Sequence, residues 1–540
     1  MFRTARLCTD AMILTVLLLG ISGCTCPRDY VKNGFKVGPN PCIPQGPTAP
    51  HWIDDADVRV CQNCAPVDCW WTVFGDPALD KLIACAASEN LSLREAGCRI
   101  MEARAQLRIT GGNLFPQTQN AVGWYTRNAT SENSNFSNGV DHQFFNDWRL
   151  GFNLSWELDF WGRFRRAVTA AENTLGASCA NYDQVMVTLL GDVASNYVQI
   201  RTLQERIRRV NVNAARQGKA VGDLDQFVKA GKARAKVDFN QALSTLKQTE
   251  ARIPRLQWEM RQAADRLCVL LGMPPTDLER YLGVGPIPTA PPTVVVGIPA
   301  ELLCRRPDVR RAQHLAIAQG EQIGIAEAEL YPAFFINGTL GVESVKASNL
   351  FTSGSLDSYI GPVFQWNILN YGRIRNNVRM QDARFCALVA AYQETVLRAN
   401  AEVEDGLSQF LRAQERAKLL DESVGASQKT VDIVETEKGA GLTNFIQVHE
   451  IEKDRVEQDD ELVQAYGDIA QGLIQVYRAL GGGWQAGAPV GGVPLASGVA
   501  PAAEMPAPAD RPAQPAPAEG PQAPASAPPA AGAAPSAELP

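Results

Sequence analysis

The chain has 540 residues and a formal net charge of −7. An acidic chain is a poor candidate for nucleic-acid binding, and more so if it is exported. His142, His314 and His449 are far apart in the sequence, and no nucleophile-elbow pattern or phosphate loop accompanies them, so we expect neither an enzyme nor a bound cofactor.

The N-terminus has the pattern of an export signal. Two arginines precede an apolar run at 11–21, which is too short for a transmembrane helix and suits a signal peptide over 1–23. The run ends in Ile21-Ser22-Gly23-Cys24, which resembles a bacterial lipoprotein cleavage site, so we expect Cys24 to become the lipidated first residue. An ordinary signal peptide that contains a cysteine is the alternative. No later segment predicts a transmembrane helix.

Residues 24–69 are rich in proline, glycine, asparagine and cysteine and show no sustained period. This composition predicts an extended segment that wraps the body or spaces it from the membrane. Cys61 and Cys64 have the spacing of a metal knuckle or a redox pair, but no second pair or histidine cluster completes a zinc site. In an oxidising compartment we expect local disulfides, with free thiols and a metal site as alternatives. The cysteines concerned are Cys26, Cys42, Cys61, Cys64 and Cys69.

A first structural repeat is predicted over 70–272. Its strands lie at about 115–128 and 145–159, and its long helices at about 162–228 and 236–271. In the second strand, apolar residues alternate with polar ones, which predicts one apolar and one polar face. The apolar residues are Trp148, Leu150, Phe152, Leu154, Trp156 and Leu158. In the helices apolar residues step by three or four, as in a coiled coil, and the first helix would be about 100 Å long.

A proline-rich linker at 273–305 separates this repeat from a second one over 306–484. The second repeat has strands predicted at about 333–345 and 358–369, and long helices at about 372–438 and 444–481. The tail over 485–540 is rich in proline and alanine and has no aromatic residue, so we expect it to be disordered.

The two repeats are copies of one unit. Trp156-Glu-Leu-Asp-Phe-Trp-Gly162-Arg163 recurs as Trp366-Asn-Ile-Leu-Asn-Tyr-Gly372-Arg373, and further pairs share the same offset. Each copy changes from the period of a strand to that of a helix at its Gly-Arg pair. A duplication of this length determines the architecture and has to be read before any local motif.

Four strands of about ten residues each are long enough to cross a bilayer at a tilt. Four strands cannot close a barrel, and open strand edges cannot lie in lipid. Several chains would therefore have to contribute their strands together, and three chains would give about twelve strands. From the strands alone, a soluble sandwich or a small sheet is the alternative.

Five stretches resemble the TolC-like outer-membrane efflux channels, and in particular their lipoprotein branch. The resemblance covers about 70–484, and the five stretches begin at Trp156, Leu303, Ile323, Gly441 and Ala479. They read Trp-Glu-Leu-Asp-Phe-Trp-Gly-Arg, Leu-Cys-Arg-Arg-Pro-Asp-Val-Arg-Arg, Ile-Gly-Ile-Ala-Glu-Ala-Glu-Leu-Tyr-Pro, Gly-Leu-Thr-Asn-Phe-Ile and Ala-Leu-Gly-Gly-Gly-Trp. The cysteine-rich segment and the tail lie outside the shared pattern.

The resemblance implies a mixed α and β fold in a homotrimer. Long antiparallel coiled-coil helices would form a trimeric α-barrel, and four strands per chain would contribute to a 12-stranded transmembrane β-barrel in outer-membrane lipid. An equatorial region would be built from about 70–88, 273–305 and the residues near 484. The implied partners are a periplasmic adaptor protein at the helix tips and an inner-membrane RND-type pump.

The implied function is a passive exit duct for small molecules. A type I protein-secretion channel is the closest alternative, and a periplasmic coiled-coil scaffold is an alternative of a different class. The four strands argue against a scaffold, which does not need them.

The resemblance also implies a narrow periplasmic aperture lined by one apolar and one acidic ring. Its candidate residues are Asp238, Ile446, Gln447 and Glu450, and the helix-tip turns that would dock the adaptor contain Gly231, Gly441, Leu442 and Thr443. Glycine provides the backbone freedom of such turns. By spacing alone, the two acids are ordinary exposed helix residues. The sequence departs from the family pattern at His449 and in a basic first turn with Lys229, Lys232, Arg234 and Lys236.

Overall fold

The computed structural model describes residues 27–61, 68–129, 144–231, 235–297, 299, 305–439 and 445–487. The predicted signal peptide and most of the predicted tail lie outside the described residues, as do Cys24 and the turn residues Gly441, Leu442 and Thr443. The fold is mixed α and β, with long helices and one four-stranded sheet.

The strands pair in two sheets. They are β1 (Val60–Cys61), β2 (Thr118–Ala129), β3 (Phe144–Leu158), β4 (Val294–Val295), β5 (Ala333–Ser344) and β6 (Leu356–Gln365). The two short strands β1 and β4 pair in parallel, and the four long strands form an antiparallel sheet in the order β2-β3-β5-β6. In the described chain, β2 and β6 are therefore the outer strands, and each has one edge without a partner.

The four-stranded sheet has two unlike faces. On the polar face, the Ser155 hydroxyl donates to Asn337 Oδ1 over 2.8 Å and the Thr339 hydroxyl donates to Asn153 Oδ1 over 2.7 Å, which ties β3 to β5. The opposite face is apolar and open to solvent in the single chain, where Ile360 is 75% exposed. Further exposed residues on this face are Leu150, Phe152, Leu340, Leu356 and Phe364. The alternation along the strands thus separates the two kinds of surface.

The fourth strand is shorter than predicted. The sequence places Trp366 and Ile368 on the face of a strand over 358–369, but β6 ends at Gln365. Its partner β5 begins at Ala333, which pairs with Gln365, and Pro332 precedes it. Beyond Gln365 no neighbouring strand remains to accept the ladder, so the alternation of residues 366–369 does not lead to pairing. Pro362 is tolerated because β6 is an outer strand.

The helices repeat in matched lengths. They are α1 (Pro27–Lys32), α2 (Pro77–Glu89), α3 (Leu91–Gly112), α4 (Arg163–Lys229), α5 (Ala235–Leu270), α6 (Glu279–Leu282), α7 (Pro307–Ala328), α8 (Arg373–Gly439) and α9 (Phe445–Ala479). Both α4 and α8 have 67 residues, and both α3 and α7 have 22. Helix α5 continues through Pro254 without a break. No helix of the described residues is both long and apolar enough to cross a membrane.

The helices form a layer in which α4 is central. It packs against α5 and α9 along one half and against α3 and α7 along the other, while α8 packs against α7 and α9. In the buried core, Trp70 stacks on Tyr477 at 5.6 Å between ring centroids. The Tyr197 hydroxyl donates to Asp76 Oδ2 over 2.6 Å, and Asp76 Oδ1 also caps α2. The largest buried cluster joins Trp70, Leu79, Val294 and Leu480, so it gathers residues from the segments predicted to form the equatorial region.

The N-terminal segment runs from the strand-to-helix junction to this buried cluster. The Tyr30 hydroxyl donates to the Phe160 carbonyl over 2.6 Å, and at the other end the Trp52 indole N–H donates to the Gly297 carbonyl over 2.7 Å. Between them, Arg166 donates to the carbonyls of Val37 and Gly38. The extended segment therefore lies along the body. Its initial helix α1 is an element that the sequence did not predict.

The expectation of disulfides in this segment is wrong for the cysteines that the structure describes there. Cys42, Cys61 and Cys69 carry free thiols, and Cys26 and Cys64 lie outside the described residues. Cys61 is held in β1 opposite Val295, whereas Cys42 belongs to the exposed extended stretch before Trp52. The described residues also contain no cluster of histidine, cysteine and acidic side chains that could hold a metal ion.

Candidate functional site

The far ends of the long helices hold the predicted turns. Helix α4 ends at Lys229, and Gly231 follows with a φ of 74°, a left-handed conformation that favours glycine. A Cβ atom at Gly231 would meet nothing within 4 Å, so the backbone conformation and not space accounts for the glycine. In the second copy, α8 ends at Gly439 and α9 begins at Phe445.

The predicted aperture residues lie beside these turns. Asp238 is half-buried at the start of α5, and its Oδ1 atom has no hydrogen-bond partner among the described residues. Glu450 is exposed in the first turns of α9. Ile446 and Gln447 belong to the same helix, but their side chains lie outside the described residues. One chain supplies one Asp238 and one Glu450, on two different helices, so a ring of either acid requires more than one copy.

Of the basic residues in the first turn, Lys229 pairs with Asp225 one helical turn earlier, at 2.5 Å between Nζ and Oδ2. The lysine side chain is 75% exposed. An exposed pair at this spacing contributes little stability, and it leaves Lys229 on the surface. Lys236 is exposed at the start of α5, and Lys232 and Arg234 lie outside the described residues.

The strand-to-helix junctions are built alike. Gly162 and Gly372 precede α4 and α8 with φ values of 82° and 81°. A Cβ atom on Gly162 would also lie 2.5 Å from Lys36 Cγ, so only glycine fits beneath the N-terminal segment. Arg163 reaches Glu157 at 3.4 Å, and Arg373 donates from Nε to the Asn370 carbonyl over 3.3 Å. These residues turn the chain and orient the helices.

Sequence reasoning missed a set of contacts between the two helical hairpins. The Arg206 guanidinium binds both carboxylate oxygens of Asp460, at 2.8 and 2.9 Å, and Arg209 Nη1 lies 2.5 Å from Asp459 Oδ1. The Asp459 side chain is 5% exposed, so Arg209 takes the place of the water that would otherwise surround this carboxylate. We call Arg206, Arg209, Asp459 and Asp460 the hairpin clamp, because they join α4 to α9.

A buried arginine continues the clamp toward the helix tips. Arg455 is 8% exposed and donates to Asn213 Oδ1 over 3.0 Å and to Gln428 Oε1 over 3.1 Å, so one side chain links three helices. Its Nε atom and Gln217 Oε1 have no hydrogen-bond partner within the described part of the chain, and both residues line a cavity of about 480 Å³ between the hairpins. Polar groups around a cavity of this size suit water, and the hairpins are not fused by apolar packing here.

The acidic run Glu457-Gln458-Asp459-Asp460-Glu461 is the signal that could have identified the clamp. Acids at neighbouring positions of a helix point toward more than one neighbour, and the arginines at 206, 208 and 209 are the complementary set in the first copy. The sequence does not say which arginine meets which acid, because about 250 residues separate them.

Asp468 gives the hairpin contacts a pH dependence. Burial raises the pKa of its carboxyl, and the nearby Arg416 and Arg206 partly lower it. Because the pKa is higher in the folded protein than in the unfolded chain, the Asp468 carboxyl contributes its full stabilisation of the fold below the unfolded-state pKa. That contribution is lost as the pH rises through the folded-state pKa. We therefore expect Asp468→Asn to raise the unfolding temperature at pH 8 more than at a pH below the ordinary carboxyl pKa of 3.8. Thermal unfolding followed by circular dichroism tests this, and equal shifts at both pH values would contradict it.

Comparisons with known proteins identify the family. The family model described as outer membrane efflux protein matches residues 82–273 and 298–482. The pyoverdine export outer membrane protein OpmQ of Pseudomonas putida is 28% identical over 435 residues, which are 78% of this chain and 89% of that protein. The solvent efflux pump outer membrane protein SrpC of Pseudomonas putida is 27% identical over 468 residues, 86% of this chain and 97% of that one.

Solved structures agree. The outer-membrane channel OprN is 29% identical with a TM-score of 0.78, and the match covers 83% of this chain and 99% of that one. The CmeC channel of Campylobacter jejuni, at 21% identity and a TM-score of 0.75, shows the fold alone. The resemblance to efflux channels that the five stretches indicate is thereby confirmed. The chain belongs to the outer membrane efflux protein family.

Proposed function

We propose that three copies of this chain assemble into one closed duct, through which the efflux system releases its cargo outside the cell. Membership of the family makes the chain the outer-membrane component of an efflux system. The trimer, the barrel of twelve strands, the residues of the aperture and the lipid on Cys24 are the proposed parts. The duct itself would be passive, with the free energy for export supplied by the pump.

The sheet is the observation that supports assembly. One face exposes apolar side chains such as Ile360 and Leu340, at 75% and 57%, while the other carries hydrogen-bonded polar groups. An apolar outer band with a polar interior is the arrangement of transmembrane barrels. The two outer strands cannot remain unpaired in lipid. Three four-stranded sheets joined edge to edge would satisfy both requirements and give about twelve strands.

At the other end, the hairpin tips would form the aperture. Three copies of Asp238 and Glu450 around one axis would repel anions and favour cations, with Ile446 and Gln447 beside them. The hairpin clamp keeps α4 against α9 and so opposes opening. Adaptor binding at the turns would provide the free energy for opening, since a partner shifts the equilibrium toward the state that it binds better. An RND-type pump would deliver the cargo.

Small molecules are the proposed cargo. The relatives are named for export of pyoverdine and for efflux of solvents, which are small organic compounds. Their names favour efflux over protein secretion for this chain as well. Because the adaptor and pump select what enters the duct, the cargo of this chain is best tested in the assembled system.

The decisive experiment combines the molar mass of the detergent-purified protein with single-channel recording in planar bilayers. We expect a stable trimer with small, cation-selective and mostly closed conductance. A water-soluble monomer without channel activity would overturn the proposal and leave the helices as an envelope scaffold.

Replacement of Glu450 by alanine tests the aperture. We expect conductance to rise and the preference for cations to fall several-fold, because three negative charges leave the narrowest part of the duct. Glu394→Ala is the control, since Glu394 is an exposed acid of α8 that pairs with Arg398 far from the tips. If Glu450→Ala and Glu394→Ala channels were indistinguishable from the wild type, Glu450 would not be part of the aperture.

A further inference from the structure

The duplication repeats individual side-chain contacts. In the first copy, the Trp156 indole N–H donates to the Leu114 carbonyl over 3.3 Å. In the second copy, the Trp366 indole N–H donates to the Leu330 carbonyl over 3.0 Å. Each bond joins the end of one strand to the residue two before a proline that precedes the other strand. The two copies are therefore equivalent at the level of single hydrogen bonds around the strand ends.

A different contact joins the first copy to the second. Trp161 stacks on Tyr331 with 4.5 Å between ring centroids and 27° between ring planes. Its indole N–H also donates to the Pro332 carbonyl over 2.8 Å. The contact lies where β3 pairs with β5 and where α4 packs on α7, so it belongs to the seam between the two copies.

Within the residues that the structure describes, the counterparts of Trp161 and Tyr331 make no such contact in the single chain. By the repeat, Tyr371 takes the place of Trp161, and Phe115 in Leu114-Phe115-Pro116 takes the place of Tyr331 in Leu330-Tyr331-Pro332. Tyr371 follows β6 and Phe115 precedes β2, which are the opposite outer strands of the sheet. The two surfaces that meet at Trp161 and Tyr331 inside the chain thus have equivalents, at Tyr371 and Phe115, that are exposed at the two edges of the sheet.

Both residues are unusually exposed for aromatics. Tyr371 is 94% exposed and Phe115 is 69% exposed. Tyr371 also has a φ of 51°, which is rare for a bulky residue. This backbone conformation costs free energy, so it persists only where the surrounding contacts compensate for the cost. An aromatic side chain held outward by a strained backbone suggests a contact that one chain cannot complete.

We propose that Tyr371 packs on Phe115 of a neighbouring chain in the assembly, as Trp161 packs on Tyr331 within one chain. This inference rests on the proposed assembly and specifies its contact surface. In this arrangement β6 of one chain lies beside β2 of the next chain, and the start of α8 packs against the end of α3 of that next chain. The contact between two neighbouring chains thus repeats the contact between the two repeats within one chain, so one kind of contact closes the ring.

The two kinds of seam differ in one respect. Inside the chain, Arg166 lies between the N-terminal segment and α7, with Glu321 at 2.6 Å and Gly324 leaving space for its guanidinium. The counterparts at the other seam are Asn376, Ala105 and Arg108. These residues cannot form the same buried ion pair. The contact between neighbouring chains therefore depends more on the aromatic pair, and it separates before the contact inside the chain does.

The test measures dissociation of the full-length trimer in detergent on heating, alongside the helical circular dichroism of the same samples. We expect Tyr371→Ala and Phe115→Ala each to lower the dissociation temperature and to make it more dependent on protein concentration. The double variant should lose less than the sum of the two single losses, because both remove one contact. Tyr371→Trp, which restores the residue of the first copy, should keep the wild-type value.

The control is Phe351→Ala, since Phe351 is 78% exposed in the connection between β5 and β6, away from the proposed contact. A trimer whose dissociation is unchanged in Tyr371→Ala, or whose two losses are fully additive, would overturn this inference and leave the proposed function intact. A wild-type protein that is monomeric and inactive would instead overturn the proposed function.

Discussion

Replacing Arg166 by methionine is expected to lower the free energy of unfolding by about 3–5 kcal/mol, the usual cost of removing one partner of a buried ion pair. Arg166 has no exposed surface, and its Nη1 atom lies 2.6 Å from Glu321 Oε2. Two further donors bind the carbonyls of Val37 and Gly38. The substitution strands a carboxylate and two carbonyls in a site that no longer offers donors.

The measurement is thermal unfolding of the purified protein, together with the rate at which trypsin cleaves after Lys36. Loss of the two carbonyl contacts should release the N-terminal segment, so cleavage should become faster as the unfolding temperature falls. Arg99→Met is the matched control, because Arg99 pairs with Glu95 on the surface and both side chains are 63% exposed. Such a pair contributes about 0–1 kcal/mol.

A second variant separates charge from packing. Arg166→Met combined with Glu321→Leu removes both charges of the buried pair, and it should recover part of the stability lost in the single variant. The carbonyls of Val37 and Gly38 stay unpaired, so cleavage after Lys36 should remain fast. Equal stabilities for Arg166→Met and Arg99→Met would show that the buried pair does not hold the segment.

The long helices follow from local patterns in the sequence. The predicted range of 162–228 compares with Arg163–Lys229 for α4, because the helical period, the junction glycine and the turn glycine all lie within the segment itself. The end of β6 does not follow from local pattern. Trp366 and Ile368 continue the alternation, but pairing depends on β5, whose start at Ala333 is set elsewhere in the chain.

The contacts of Arg166 were also beyond local reading, although one signal was present. Arg163, Arg165 and Arg166 are alike as sequence, but at about 100° per residue Arg163 and Arg166 lie near the helical stripe of the buried Ala170 and Ala177, and Arg165 does not. A charged residue in register with small buried residues indicates a packed polar contact. Its partners could not be named, since Val37 and Gly38 lie in a segment without any period and Glu321 is 155 residues away.

The aperture residues show the same limit in another form. The repeat places Asp238 and Glu450 near the helix tips, but a ring is a property of several chains. In one chain Asp238 Oδ1 has no partner among the described residues, and Glu450 is exposed. The aperture therefore stays a prediction that conductance has to test, whereas the hairpin clamp is visible within one chain.

Removal of both clamp carboxylates, in Asp459→Ala with Asp460→Ala, is expected to give the largest change in channel behaviour. A hydrogen bond to a charged group contributes about 1.5–3 kcal/mol. Asp459 is almost fully buried, and Asp460 holds Arg206 through two bonds, so a combined loss of about 3 kcal/mol is reasonable. That loss would shift the ratio of open to closed channels about 100-fold if the clamp exists only in the closed state.

Single-channel recordings measure that ratio directly. Glu457→Ala is the matched control, because Glu457 belongs to the same acidic run but reaches Arg252 only at 3.4 Å, with both side chains more than 40% exposed. Exchange of the charges, Arg206→Asp with Asp460→Arg, should restore closure in part, since it rebuilds one pair in reverse. If channels of the double alanine variant and of the Glu457→Ala control were open equally often, the hairpin clamp would stabilise the fold but would not control channel opening.

The clamp is suited to this task because it is polar. An apolar seam between α4 and α9 would resist separation in every state, since exposure of apolar surface to water always costs free energy. Charged groups can be hydrated when the helices part, and the cavity beside Arg455 already leaves room for water between the hairpins. The helix tips can therefore separate while the apolar core around Trp70 and Leu473 holds the equator together.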